Sequence, residues 1–417
     1  MRIITLLLLW TVSPLSAQVT RVLFIGNSYT YSNDLPGLFT QLAGSLGNTV
    51  ETAMVAPGGF TFEGHTTNPA SQNAIAQGDW DVVVLQEQSQ RPSFPPAQVA
   101  QEVYPFAEQL VQQIAAANPC ARSVFLMTWG RENGDQQNCA SYPPLCTYTG
   151  MQQRLWESYV AMAQDNAAIV APAGSVWRAY RSAHPSAQLY TDGSHPNLLG
   201  SFIVATTLYS SIFAEPSTAS TLVPGALVPA DAAEVRDLAS SIVSDSAATW
   251  NLDVYDPVAE ADLAYVGGTN ILFSNNTNGA VQQEWHFGDG TTSTDVDPLH
   301  TYATAGDYTV TLIVSDACGR SDSTQLVVDL LGAGLSDGAL PRTVRVSWMN
   351  DRLVVHHQPE RGMLRLTDPR GRLLVERTVQ AADRQEVPLP IPHRGPMVWH
   401  LSGEAGATHT GLVIPTP

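Results

Sequence analysis

Between Val19 and about Trp250, short runs of β-branched and aliphatic residues alternate with longer stretches whose apolar positions recur every three or four residues. Val22 to Ile25, Val50 to Val55, Val82 to Gln86, Val124 to Trp129 and Ala168 to Ala171 predict strands. Their nearly unbroken apolarity is that of a parallel sheet covered on both faces. Pro36 to Leu46, Ala97 to Ala117, Met151 to Asn166 and Leu198 to Phe213 predict helices; in the second, Val99, Val103, Phe106, Leu110, Val111 and Ile114 make one buried stripe. Glu215 to Pro229, rich in Pro, Ser, Thr and Ala, predicts a loop, and Ala232 to Val243 a last helix. The expectation is an α/β three-layer domain over residues 18–250.

Beyond Asn251 the pattern changes to period two. Phe273 to Gly279, Phe287 to Ser293 and Thr304 to Tyr308 punctuate the strands as turns, and Tyr308, Val310, Leu312 and Val314 share one face. A small β-sandwich over 251–331 follows, then a Gly-rich linker over 332–342, then a small all-β C-terminal domain over 343–417.

Charge sharpens this division. All 20 basic residues are arginines, against 38 acids, for a net charge of −18. Residues 1–250 carry 18 acids and 9 arginines, 251–341 carry 13 and 1, and 342–417 carry 7 and 10. The balance and the absence of a strong arginine cluster argue against nucleic acid or an anionic membrane as partner. Without lysine there is no Schiff-base chemistry, no Ser-Lys dyad and no P-loop cation.

Arg2, the apolar run Ile3 to Trp10 and Ser16-Ala17 predict a secretory signal peptide over residues 1–17, too short to span a bilayer, with Leu15 departing from the small residue preferred before the cleavage site. No later stretch reaches transmembrane length, so the expected location is secreted or cell surface. Of the four cysteines, Cys139 and Cys146 bracket a Pro-containing loop that a disulfide would close. Cys120 and Cys318 fall in different predicted modules and are compatible with free thiols or a second bridge. The spacing is not that of a zinc site, and neither metal nor organic cofactor is expected.

Two segments carry candidate chemistry. Gly26-Asn27-Ser28 puts a serine at the carboxyl end of the first strand, where open α/β sheets present residues to ligands. Asp192-Gly193-Ser194-His195 offers a carboxylate three residues before an imidazole, spacing that lets the acid orient the ring while its other nitrogen faces a nucleophile. A neutral serine needs a base, and with no lysine available His195 is the natural one.

On these residues the first domain resembles the SGNH or GDSL-type serine esterases. Ile25-Gly26-Asn27-Ser28-Tyr29 matches the first block with Asn in place of the usual Asp, and Asp192-Gly193-Ser194-His195-Pro196 matches the last. The resemblance implies a flavodoxin-like parallel-sheet fold, with Ser28 as nucleophile, His195 as general base and then acid, and Asp192 as the residue orienting it. It implies an oxyanion hole from Ser28, Gly59 (alternatively Gly58) and a side-chain amide. The third block is Gln86-Glu87-Gln88 rather than Gly-x-Asn-Asp, so that amide is Gln88 or, alternatively, Gln86. Trp129, Arg131 and Glu132 are candidates to shape the pocket, with Trp129 as a core residue and Arg131 as a solvated one the equal alternative. His65 and His184 are expected to be structural.

The middle segment resembles a PKD domain, an immunoglobulin-like β-sandwich, on Trp285-His286-Phe287-Gly288-Asp289-Gly290, His300-Thr301-Tyr302 and Ala305-Gly306-Asp307-Tyr308. Trp285 and Tyr302 would fill its core, Asp289-Gly290 would make a tight turn, and its role would be that of a spacer. The last 75 residues resemble a type IX secretion sorting domain on Leu366-Thr367-Asp368, Gly371-Arg372, Val387-Pro388-Leu389 and Gly411-Leu412-Val413-Ile414. The resemblances together imply a secreted esterase for small acyl esters, with O-acetylated glycan as first choice. Other hydrolysis on the same triad (lipase, arylesterase or thioesterase) and a non-catalytic glycan-binding surface protein stay open.

Overall fold

The computed structural model describes residues 19–330 and, beyond them, 345–349, 352–358, 361–367, 373–380, 382–387, 397–403 and 408–413. The expected signal peptide and the linker at 332–342 lie outside the described residues. In chain order the first elements are β1 (Thr20–Ile25), α1 (Ser28–Tyr31), α2 (Leu35–Ser45), β2 (Val50–Val55), α3 (Phe62–Thr67), α4 (Pro69–Ile75), β3 (Val82–Leu85), α5 (Pro96–Glu102), α6 (Tyr104–Ala117), β4 (Arg122–Leu126), α7 (Tyr148–Asp165), β5 (Ile169–Ala171), α8 (Ala173–Ala183), α9 (Leu198–Phe213) and α10 (Pro229–Ser244).

The five strands form one parallel sheet in the order β2-β1-β3-β4-β5, the flavodoxin-like doubly wound order. Alternate residues of each strand feed two separate cores. Val22, Phe24, Val82 and Val84 pack with α2, α8, α9 and α10, whereas Leu23, Ile25, Val83 and Leu85 pack with α3 to α7. Burial of both faces explains why these strands are apolar without a polar alternation. The expected three-layer α/β domain is therefore present.

The predicted helix Ala97 to Ala117 is two helices. Val103 departs from helical geometry (φ −124°, ψ −56°), and Pro105, just inside α6, removes a donor and crowds the preceding turn. Helix α8 escapes the periodicity reading because Val176, Trp177 and Tyr180 are its only large apolar residues, among Gly, Ser, Ala and Arg.

The strands that follow are β6 (Ala261–Gly267), β7 (Asn270–Asn275), β8 (Gln282–His286), β9 (Thr292–Ser293), β10 (Leu299–Thr301), β11 (Asp307–Ser315) and β12 (Ser321–Asp329), in antiparallel sheets ordered β10-β7-β6 and β12-β11-β8-β9 that fit a PKD domain. Trp285 and Tyr302 are both buried, as expected, and so are Val310, Leu312 and Val314 of β11. The β8–β9 turn needs glycine where φ is positive, at Gly288 (80°) and Gly290 (91°), while the Asp289 carboxylate accepts from the Thr291 N–H at 3.0 Å and hydroxyl at 2.6 Å.

Of the described residues, one compact unit holds those up to Asp262 with Ser274–Pro298 and Thr311–Leu326; a second holds Leu263–Phe273, Leu299–Val310 and those from Val327 on. Within the first, Cys120 and Cys318 form a disulfide with Cα atoms 5.3 Å apart, which answers the alternative that the sequence left open. Beside it the Arg320 guanidinium bonds Asp316 at 2.8 Å and lies over the Tyr255 ring, whose hydroxyl accepts from the Ser123 N–H at 2.9 Å. Cys139 and Cys146 form the expected second bridge. Within the second unit the described residues of the last segment form β13 (Arg345–Met349), β14 (Arg352–Gln358), β15 (Gly362–Thr367), β16 (Leu373–Val379), β17 (Ala382–Val387), β18 (Met397–Gly403) and β19 (Thr408–Val413), in antiparallel sheets ordered β13-β14-β17 and β16-β15-β18-β19 around buried Val355, Leu364, Leu366, Trp399 and Leu401.

Candidate active site

Ser28 opens α1 directly after β1, at the point where the chain order of the sheet reverses and open α/β folds leave a crevice. Asn27 caps this short helix, its side-chain oxygen accepting from the Tyr29 N–H at 3.1 Å while its Nδ2 donates to the Phe60 carbonyl at 2.9 Å. The Asn in place of the usual Asp thus ties the serine turn to the loop after β2.

His195, 167 positions away in sequence, comes within hydrogen-bond reach: its Nε2 is 2.9 Å from Ser28 Oγ. Its Nδ1 is 2.7 Å from Asp192 Oδ2. The other Asp192 oxygen accepts from the Ser194 N–H at 3.0 Å and the His195 N–H at 2.8 Å. Partial burial pushes the Asp192 carboxyl up, but the bonds from the His195 N–H, the His195 ring and the Ser194 N–H outweigh it and hold it below the ordinary carboxylate range. A carboxylate on Nδ1 fixes the tautomer with Nδ1–H, leaving the Nε2 lone pair for the serine proton. The three predicted residues are therefore brought together in the order that nucleophilic catalysis needs. The site stands open: the His195 side chain is 37% exposed and that of Asp192 55%.

The candidate oxyanion donors separate. Gly59 holds φ at +68° in the loop after β2, a conformation that favours glycine, whereas Gly58 does not, and lies near the Tyr31 hydroxyl. Gln86 is fully buried: its Oε1 accepts from the Asn27 N–H at 3.0 Å and the Thr30 hydroxyl at 2.9 Å, and its Nε2 donates to the Glu87 carbonyl. Its amide is committed to holding the serine turn. Gln88 is only partly buried, and its Nε2 donates within its own loop to Gln90 Oε1 at 3.1 Å.

The structure adds residues that sequence reasoning did not assign. Glu87, fully buried, accepts from the Phe62 N–H at 3.0 Å and the Gln88 N–H at 2.5 Å, so it links the end of β3 to the start of α3 behind the Gly59 loop. Burial pushes its carboxyl up to about 7, against the hydrogen bonds from Gln88 and Phe62 and the charge of Arg91. His65 has a structural role, as expected. Burial pushes it toward the neutral form, in which Nε2–H donates to the Gly26 carbonyl at 2.8 Å and Nδ1 accepts from the Ser71 hydroxyl at 2.7 Å. Trp129 is fully buried, so it supports the site from beneath and does not line a pocket. Arg131 pairs with buried Asp135 at 3.4 Å, and Glu132 donates its N–H to the Gly193 carbonyl at 2.8 Å. Among the described residues no group of His, Cys, Asp and Glu could hold a metal ion, and no helix is long and apolar enough to cross a membrane.

Residues 256–328 match the model of the PKD domain. A 76-residue stretch is 38% identical to the pre-pro-metalloprotease PrtV of Vibrio cholerae, covering 17% of this chain and 8% of that protein. The solved PKD1 domain of PrtV is 38% identical, with 18% of this chain and 96% of that chain covered and a TM-score of 0.17. The chain spans only 5% to 10% of the length of the curated relatives it matches. Two further solved structures are similar over about half of this chain. One is a DUF4886 family protein from Bacteroides uniformis (17% identical, 55% of this chain and 96% of that chain, TM-score 0.47). The other is a putative SGNH hydrolase from Slackia heliotrinireducens (27% identical, 46% and 97%, TM-score 0.37).

Proposed function

We propose that the α/β domain preceding residues 256–328, which match the model of the PKD domain, is a secreted serine esterase of the SGNH type that removes small acyl groups, acetyl first, from polysaccharide. The observation that carries the reading is the unbroken hydrogen-bond relay from Ser28 through His195 to Asp192. His195 takes the Ser28 proton as Oγ bonds to the acyl carbon; the tetrahedral oxyanion then collapses, and His195 returns the proton to the departing sugar oxygen. Water then attacks the acyl-serine as the same ring takes its proton, and as the second tetrahedral oxyanion collapses the C–Oγ bond breaks, His195 passes that proton to Ser28 Oγ and the carboxylic acid leaves. The oxyanion is assigned to the N–H groups of Ser28, which as first in its helix has no intrahelical acceptor, and of Gly59. Gln88 is assigned as the third donor, because Gln86 is fully buried with its amide tied to the serine turn, whereas the Gln88 amide is partly exposed and its Nε2 is held only by a bond within its own loop.

The exposed triad suits a bulky polymer bearing a small acyl group, since no other part of the substrate needs to be engulfed. Two disulfides among the described residues support an oxidising, extracellular setting. The PKD domain is assigned as a spacer, and the last 75 residues as a type IX sorting address. The test is hydrolysis of p-nitrophenyl acetate, a long-chain p-nitrophenyl ester and acetylated xylan by the parent, Ser28→Ala and His195→Ala. Loss of activity in both variants and preference for acetate support the reading. Equal activity in all three removes the triad, preference for the long chain removes the acetyl assignment, and a parent inert on every ester leaves a glycan-binding role.

A further inference from the structure

The Ser28–His195 bond joins two segments far apart in sequence, one of them a solvated loop, yet catalysis needs that distance held within a fraction of an ångström. Loop ends and middle are fastened separately. The Thr191 N–H donates to the His195 carbonyl at 3.0 Å, and the Glu132 N–H to the Gly193 carbonyl at 2.8 Å. Ser194, the residue before the base, is gripped twice: Trp129 Nε1 donates to its carbonyl at 3.1 Å, and the Tyr29 hydroxyl lies 2.6 Å from its Oγ. Tyr29 is the residue after the nucleophile on the same helix.

The grip has a rigid base. The Tyr29 ring lies flat on Trp129 (centroids 4.7 Å apart, planes within 4°), and Trp129 lies flat on Trp177 (4.2 Å, 1°). All three rings are buried. Trp177 Nε1 donates to the Tyr190 hydroxyl at 3.0 Å, which itself donates to the Gly130 carbonyl at 2.6 Å. The three-ring pillar thus runs from the nucleophile helix into the core and returns to the start of the catalytic loop at Tyr190. The His195 ring meets the edge of Tyr29 at 5.4 Å. Burial pushes the Tyr29 phenol up, so it remains a neutral hydroxyl able to bond both Ser194 and Ser89.

We propose that Tyr29 and Ser194 form a clasp that positions His195 against Ser28, so that nucleophile and base move as one body; this rests on the esterase reading. Tyr29 and Ser194 are positioning residues and touch no substrate. Tyr29→Phe keeps the stack and removes only the hydroxyl; Ser194→Ala removes the other half. Each single variant is expected to lower kcat on p-nitrophenyl acetate about 10- to 100-fold with KM within about twofold and an unchanged thermal midpoint. The double variant is expected to lose no more than the worse single one, because the two groups act as a pair. Hydrogen exchange of the segment spanning residues 190–196 is expected to quicken in both.

Parental kcat in Tyr29→Phe, multiplied losses in the double variant, or unchanged exchange overturns the clasp. If the parent hydrolyses nothing, exchange still decides: faster exchange in Tyr29→Phe keeps the clasp and only the esterase reading falls.

Discussion

Glu87→Gln exposes the energetics of the framework behind the site. Glu87 is shut off from solvent, and its two oxygens meet two backbone N–H groups. Its carboxyl titrates near the ordinary 4.5 when unfolded and is pushed up to about 7 in the fold, because burial outweighs the hydrogen bonds and Arg91. Between those values the native protein binds a proton that the unfolded chain has lost, so stability falls as pH rises. The contribution is fully retained below the unfolded value, declines across the window from about 4.5 to about 7, and levels off above it. The gap corresponds to about 3 kcal/mol. Glutamine keeps the shape and cannot ionise, so whatever fixed offset it brings does not vary with pH. Denaturant unfolding of parent and variant, followed by tryptophan fluorescence at pH 4.5, 5.5, 6.5 and 7.5, cancels every other titrating group in the difference. The parent is expected to lose about 3 kcal/mol relative to Glu87→Gln across that series. A difference constant within about 0.5 kcal/mol would mean that Glu87 is not protonated in the fold, and the assignment of burial as the dominant influence would fail.

Asp192→Asn should lower kcat on p-nitrophenyl acetate by a factor on the order of 1,000 to 10,000, since an amide no longer selects the Nδ1–H tautomer; a loss below tenfold refutes the role assigned to it. Removing the long bridge with Cys120→Ser and Cys318→Ser should destabilise the protein by about 3 to 5 kcal/mol through freedom regained by the unfolded chain, read by denaturant unfolding under non-reducing conditions. Gly59→Ala has room for its methyl group but must hold φ at +68°, so a cost of about 1 kcal/mol and a lowered kcat are expected in unfolding and rate measurements. Trp285→Ala should cost about 3 to 5 kcal/mol in calorimetry while Ser28-dependent activity persists, because the indole is wholly buried in the sheet β12-β11-β8-β9, none of whose strands carries a residue of the proposed site.

Much of this protein was determined locally. The alternation of apolar runs and helical stripes specifies the doubly wound domain, because burial on both faces of a sheet demands apolar residues at consecutive positions. Phe287 to Ser293 specifies a glycine turn through backbone sterics alone. Ser28 and the Asp192–His195 pair were legible because their chemistry depends on residue type and short spacing. Local periodicity contains no information about distance between remote segments, and there the tertiary structure decided. It brought His195 to Ser28, joined Cys120 to Cys318, and enclosed Gln86 while leaving Gln88 at the surface of its loop. It also gave Tyr29 and Ser194, which look like spacers between motif residues, a shared hydrogen bond on a pillar of stacked rings. Packing makes such contacts possible only after every layer is in place, so no single segment encodes them.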